Sequence, residues 1–403
     1  MTFAYIPAGL KKLLGVSLYI LAFIITPTTA AEKTITLSYK ADATSGNTNK
    51  RNFTNTTPAE GYCATYPSGC GPEFSLSIPN TTLPAPLKKD EAVVLRAPHQ
   101  WREVEVIHSD GSTQTLKIKI FGLGGTYRLS DYVGGGGHGT IWQGGEWVNN
   151  PGPGCGGSME GWVGGTWSNF YWFFNTNACM KIPTVSMSSI GFDNAGIVYH
   201  LQTPDPMLMS PGNYTGSITY TFGNNGDIQL GNGAPSDPIL KLNFDLSVTH
   251  FLRVQFPANP HFLTLQPQGG WQQWMMNGEN YRPKKLMAHQ PFRLWTSSRF
   301  KMQLQCQYPV GEDCGLQNDA GDTQVAVKTM VTLPYGFQDA GNRPVSRYLL
   351  ANNMRSIFYP KNIVHDGRSE LNFEVEKTQL DKMIDKGPGR YRGDVTVIWD
   401  AEL

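Results

Sequence analysis

Charge is scarce in this chain. Asp, Glu, Lys and Arg make up 16% of its 403 residues, against about 25% in an average soluble domain. Lys+Arg 33 against Asp+Glu 32 leaves a formal net charge of +1 at pH 7. That is too little for a nucleic-acid binder held by bulk electrostatics, or for a polybasic membrane-surface protein, so no nucleic-acid partner is expected. Long apolar runs are also missing except for one at the start, which excludes a polytopic membrane protein. Helical periodicity with caps is nearly absent. The best candidate runs from Glu376 to Lys386 and is ended by Gly387 and Pro388. No C-x-x-C, H-x-x-x-H or H-E-x-x-H spacing occurs and the 8 His are scattered from His99 to His365, so no metal or cofactor is expected. Gly134 to Gly139 formally satisfies G-x-G-x-x-G, but no helix follows it and no βαβ unit surrounds it.

The single apolar run has the parts of an export signal. Lys11 and Lys12 are followed by an apolar stretch from Leu13 to Ile25 and by small residues from Thr28 to Ala31. The core is too short for a comfortable membrane span, so residues 1–30 read as a secretory signal peptide. The cysteine pattern agrees with export. All 6 Cys lie beyond the signal, and their grouping makes neighbour pairing the most economical arrangement: Cys63–Cys70, Cys155–Cys179 and Cys306–Cys314.

With charge sparse, Gly 44, Pro 27 and many Thr, Ser and Asn fill the composition. Short β-branched or alternating runs, among them Thr34 to Tyr39, Glu103 to Ile107, Thr115 to Ile120 and Ile197 to Leu201, are separated by turn residues. An all-β fold is expected, and the length suits two domains. A repeat divides the chain. Pro211-Gly212-Asn213-Tyr214-Thr215-Gly216 recurs as Pro388-Gly389-Arg390-Tyr391-Arg392-Gly393, and an alternating strand follows each copy. The first copy precedes a polar, turn-rich stretch. The expected division is a first domain over 31–232, a linker over 233–238 and a second domain over 239–403.

A signal peptide, two β-sandwich-like domains and a terminal Gly-x-Tyr-x-Gly-x-Val-Thr strand resemble the two-domain tip adhesins of bacterial chaperone–usher fimbriae. The resemblance implies an N-terminal lectin-like adhesin domain and a C-terminal immunoglobulin-like pilin domain that lacks its final strand. It also implies export through the periplasm to a fimbrium tip at the cell surface. The partners it implies are a periplasmic pilus chaperone, an outer-membrane usher, the next pilus subunit through a donor strand, and a host glycan or glycoprotein receptor. Tyr391, Val395, Val397 and Trp399 are then the residues of the assembly strand. Thr34 to Tyr39 leads into an extra domain and not into a lone pilin domain, which favours the tip position.

The most unusual stretch is Gly134 to Phe174, with Trp142, Trp147, Trp162, Trp167 and Trp172 among dense glycines. Solvent-facing rings give sugar C–H faces something to stack on, and Asn or His side chains supply directional hydrogen bonds. Most of these rings are expected to fill the core, with Trp172 and Phe174 sharing an inward face. Trp142 and Trp147, bordered by glycines, are the expected platforms. His138, Asn149, Asn150, Trp167 and Asn169 complete the expected ligand-binding set. An enzyme is not expected. The alternative, an exported carbohydrate-active enzyme with an immunoglobulin-like accessory domain, would use Glu146 and Glu160 as a glycosidase pair.

Overall fold

Strict alternation places the first strand. Along Ala31–Lys40 the side chains of Ile35, Leu37 and Tyr39 are buried while their neighbours face outward. The structure is a computed structural model that describes residues 30–41, 52–67, 74–134, 136–158, 161–257, 262–276 and 282–401. Residues 1–29 of the signal segment and Cys70 lie outside the described residues.

Ala31–Lys40 belongs to an eleven-stranded sheet that also holds Arg102–His108, Thr113–Leu129, Trp167–Phe174, Met187–Gln202 and Gly212–Thr221. Two of these strands, Thr113–Leu129 and Met187–Gln202, are long and pair with each other through two register shifts, which bend the sheet. A three-stranded sheet of Ala178–Lys181, Val93–Arg96 and Gln229–Leu230 contributes Cys179, Val93, Leu95 and Leu230 to the same core. The disulfide Cys155–Cys179 ties the two sheets together.

The expected boundary moves. Ile239–Thr249 alternates cleanly and is a strand, but it completes the first sheet and does not open the second domain. It pairs in parallel with Ala31–Lys40, from Ala31 against Leu240 to Lys40 against Thr249, and antiparallel with Gly212–Thr221. Its inward residues Leu240, Leu242, Phe244, Leu246 and Val248 lie in the first core. The polar stretch before it is a loop inside that domain, where Ala234–Pro235 pairs with Thr81–Leu83 and Ser236 N–H donates to the Asn80 carbonyl. Turn-rich composition marks a reversal equally well inside a domain and between domains, so the break falls after Thr249 and not at 233–238. The first repeat copy is accordingly followed by three more strands of its own domain and does not close it.

The second domain packs a nine-stranded sheet against a four-stranded one. Phe292, Leu294, Val331 and Leu371 of the first sheet meet Phe300, Met302, Leu304 and Phe358 of the second in one core. The helix Lys377–Lys386 covers a smaller cluster of Leu286, Val327 and Val375 with Leu380. Gly387, at φ 95, ends that helix in a conformation other residues avoid. The disulfide Cys306–Cys314 clips a short hairpin. At the junction, His250 Nε2 lies 3.0 Å from the Met209 carbonyl and Nδ1 lies 3.1 Å from Ser297 Oγ, which itself accepts from Phe251 N–H. Nε2 therefore carries the proton and Nδ1 accepts from the serine.

Candidate functional site

The tryptophan-rich segment divides into rings that are core and rings that are not. Trp147 is 0% exposed and stacks on Trp172 with centroids 4.7 Å apart, while Phe170 and Trp142 meet it edge-on at 4.8 and 5.1 Å. Trp142 is 2% exposed, and its indole N–H donates to Tyr127 Oη at 3.2 Å. The expectation of two exposed platforms is therefore corrected. Gly144 and Gly145 do not present these rings to solvent. With φ of 79 and 93 they turn the chain so that Trp142 and Trp147 both point into one aromatic cluster.

Of the expected polar partners, His138 and Asn169 are likewise structural. His138 is fully buried, with Nδ1 2.6 Å from Tyr127 Oη and Nε2 2.8 Å from the Gly164 carbonyl. Burial holds its pKa below the usual value, so it is a neutral imidazole locking two loops. Asn169 is buried between Thr126, which donates to it at 2.7 Å, and the Tyr66 hydroxyl. Asn150 gives its carbonyl to the buried Lys181, whose Nζ also reaches the Gly145 carbonyl at 2.8 Å. Burial lowers the Lys181 pKa to about 8. Asn149 is exposed and donates to Glu146 Oε1 at 3.1 Å, which keeps that carboxylate ionised. A glycosidase acid needs the opposite shift. Glu160 lies outside the described residues, and Gly136–Gly139 is a single turn carrying His138, with no strand and helix around it. Among the described residues no group of three or more His, Cys, Asp or Glu gathers as metal ligands.

The rings of the first domain most open to solvent, among the described residues, are Tyr132, 80% exposed, and Trp162, 64% exposed, with Val163 beside the second. Both sit around one glycine turn. Gly164 N–H donates to the Trp167 carbonyl, Val133 N–H donates to Gly165, and a Cβ on Gly165 would lie 2.0 Å from Tyr132 Cε2. A Cβ on Gly164 would likewise lie 2.3 Å from Nε1 of the half-buried Trp167. Gly164 and Gly165 thus let two rings lie flat against backbone. Glycine lies within two residues of Trp142, Trp147, Trp162 and Trp167 alike, so glycine content did not separate Trp162 from Trp147.

A polar cavity of about 260 Å³ occupies the end of the first domain remote from residue 250, since it borders Thr221, whose strand partner is Ile239. Arg96, Arg102, Asn177, Asn225 and Asp227 line it. Arg102 bonds Asp227 at 2.6 Å and lies 4.9 Å over the Tyr220 ring, while Arg96 has no ion-pair partner among the described residues. Sequence patterning gave no hint of it, because the five residues come from four separate segments.

The second domain carries the most distinctive geometry. Its terminal strand Val395–Asp400 pairs with Phe300–Cys306 along one edge, and among the described residues no strand pairs with its other edge. Val395, Val397 and Trp399 are half-buried against the core while Thr396 and Ile398 face outward. Beside them runs an apolar groove of about 330 Å³, walled opposite by Phe256, Leu263 and Leu265 and floored by Ala288, Leu371 and Phe373. Tyr391 stands apart from this strand, since Tyr391–Arg392 pairs with Gln317 and Asn318 in the other sheet.

No family model matches the chain, and no curated protein matches it. Among solved structures, the chain is similar at 9% identity to a chain of a chaperone–tip adhesin complex of CFA/I fimbriae, covering 92% of this chain and 96% of that one with a TM-score of 0.25. It is also similar at 9% identity to a chain of the CsuC–CsuE chaperone–tip subunit pre-assembly complex from the archaic chaperone–usher Csu pili of Acinetobacter baumannii, covering 92% and 98% with a TM-score of 0.19.

Proposed function

We propose that this chain is the adhesive tip subunit of a surface fibre, completed by a strand from another polypeptide. The observation that carries the reading is the half-paired terminal strand beside an apolar groove. An open edge exposes a row of backbone N–H and C=O groups, and an apolar trough beside it exposes core side chains. An incoming extended segment satisfies both at once. Its backbone continues the sheet past Val395–Asp400, and its alternate side chains cover Val397 and Trp399. In this reading residues 1–30 direct export, a periplasmic chaperone fills the groove first, an outer-membrane usher receives the pair, and the next subunit's extension then replaces the chaperone.

The first domain binds a glycan or glycoprotein receptor. Tyr132 and Trp162 supply the stacking surface, and of the residues expected from sequence Asn149, Asn150 and Trp167 remain accessible to join it. Export of the full chain, alone and with a donor strand fused after its last residue, tests the assembly half. The chain alone is expected to aggregate or to recover only with a co-expressed chaperone, and the fusion to be monomeric. A full chain that unfolds cooperatively at the same temperature with and without the fused strand overturns the reading. For the receptor half, Tyr132→Ala with Trp162→Ala should abolish binding on a glycan array without moving the melting temperature.

A further inference from the structure

We infer that the strand accepted by this groove carries an acidic residue just beyond its apolar stretch, at the Trp399 end. The inference rests on the strand-insertion reading. Phe256 and Phe292 close that end, meeting the Trp399 ring edge-on at 5.7 and 5.8 Å. Both phenylalanines also line a second cavity of about 630 Å³, and Phe256 is shared with the groove. A strand lying along Val395–Trp399 and continuing over Phe256 runs out into this second cavity.

The cavity has a different chemistry from the groove. Gln255, Arg293 and Arg368 stand in one row across three neighbouring strands, so the two arginines are directly opposite each other. Like charges in that position destabilise an antiparallel pair. Asp366 Oδ2 accepts from Arg293 at 3.2 Å, while Arg368 is exposed with no ion-pair partner among the described residues. Arg253 adds a third guanidinium, 4.9 Å over the neighbouring Trp295 ring. The carboxylates at this end are Asp366, Glu370, which lies 3.4 Å from His289 Nδ1, and Asp400 on the terminal strand, which Lys301 neutralises at 3.0 Å. Positive charge is therefore in surplus next to an apolar trough. A carboxylate between Arg293 and Arg368 turns a repulsive pair into a bridged one.

The test uses the full chain, refolded from denaturant with fluorescent peptides of about ten residues that alternate apolar and polar positions. One peptide carries Glu beyond one end, another beyond the other end, and a third carries Gln at both. Anisotropy gives each Kd. One of the two Glu peptides is expected to bind about fivefold tighter than the Gln peptide. That gap should shrink at about 0.5 M salt. It should vanish in the Arg293→Gln, Arg368→Gln double variant, which still binds the Gln peptide as the parent chain does. Equal binding of all three peptides to the parent chain overturns the acidic-residue inference and leaves strand insertion standing. Failure of every peptide to bind, in a chain that refolds, overturns both.

Discussion

Replacing Trp147 with Ala removes the ring around which the first domain's aromatic cluster is arranged. Tyr127, Trp142, Phe170, Trp172 and Phe192 all approach that ring with centroids between 4.7 and 5.9 Å. The Trp147 carbonyl also accepts the Trp172 indole N–H at 2.8 Å, so a shift of backbone into the void would strain a second buried donor. Truncation of a buried Trp costs about 3–5 kcal/mol, and loss of several ring pairs places this site toward the top of that range. For a domain of this size that corresponds to a fall of roughly 10–15 °C in melting temperature. Trp147→Phe keeps part of the stack and should fall by less than half as much. Trp162→Ala, with its ring in solvent, should stay within about 0.5 kcal/mol of the parent chain. Differential scanning calorimetry of the three variants, each complemented by a fused donor strand so that the second domain is held constant, reads the order directly. If Trp147→Ala melts with the parent chain while Trp162→Ala melts early, the division into core and surface rings is reversed, and Tyr132 and Trp162 lose their place as the receptor surface.

Val397→Lys, on the inward row of the terminal strand, should block complementation by a donor peptide, whereas Ile398→Lys on the outward face should leave it intact. Peptide-dependent gain in melting temperature separates the two. Reducing Cys155–Cys179, which closes the longer of the two described disulfide loops, should cost the first domain about 3 kcal/mol, read from denaturant unfolding with and without reductant. His250 is held below its usual 6.5 by burial, so its neutral form contributes stability that is fully present above 6.5 and is lost as pH falls through the lower folded value. Stability measured downward from pH 7 should therefore drop more in the parent chain than in His250→Gln, and equal slopes would mean that His250 has no part in the acid sensitivity.

Strand identity was legible because alternation is a local property. Ile35, Leu37 and Tyr39, or Val395, Val397 and Trp399, announce an inward face whatever lies beside them. Partner choice was not legible. Ile239–Thr249 alternates as well as any strand, yet its sheet is decided by a parallel partner two hundred residues away in sequence, and the turn-rich stretch ahead of it gave a misleading boundary. The same limit governs the site. Trp147 and Trp162 have similar glycine neighbours, and only the packing of Gly144–Gly145 against that of Gly164–Gly165 turns one ring inward and leaves the other outside. The groove was anticipated through a family resemblance and the patterned last strand, while the opposed arginines at its end require the register of three strands to be known.

The parallel ladder between Ala31–Lys40 and Ile239–Thr249 has a mechanical consequence. Ile239–Thr249 leads straight into the second domain, so in the proposed role tension between a receptor held by the first domain and an anchored fibre enters through this strand. It lies between two long neighbours, and a pull along its axis loads the hydrogen bonds of both ladders together, in shear, so that none can open alone. Had the chain left through an edge hairpin, the same pull would peel bonds one after another from the end. Extraction of this strand is therefore the slow event under load, and the lifetime of the stretched domain follows its unfolding rate more than its equilibrium stability.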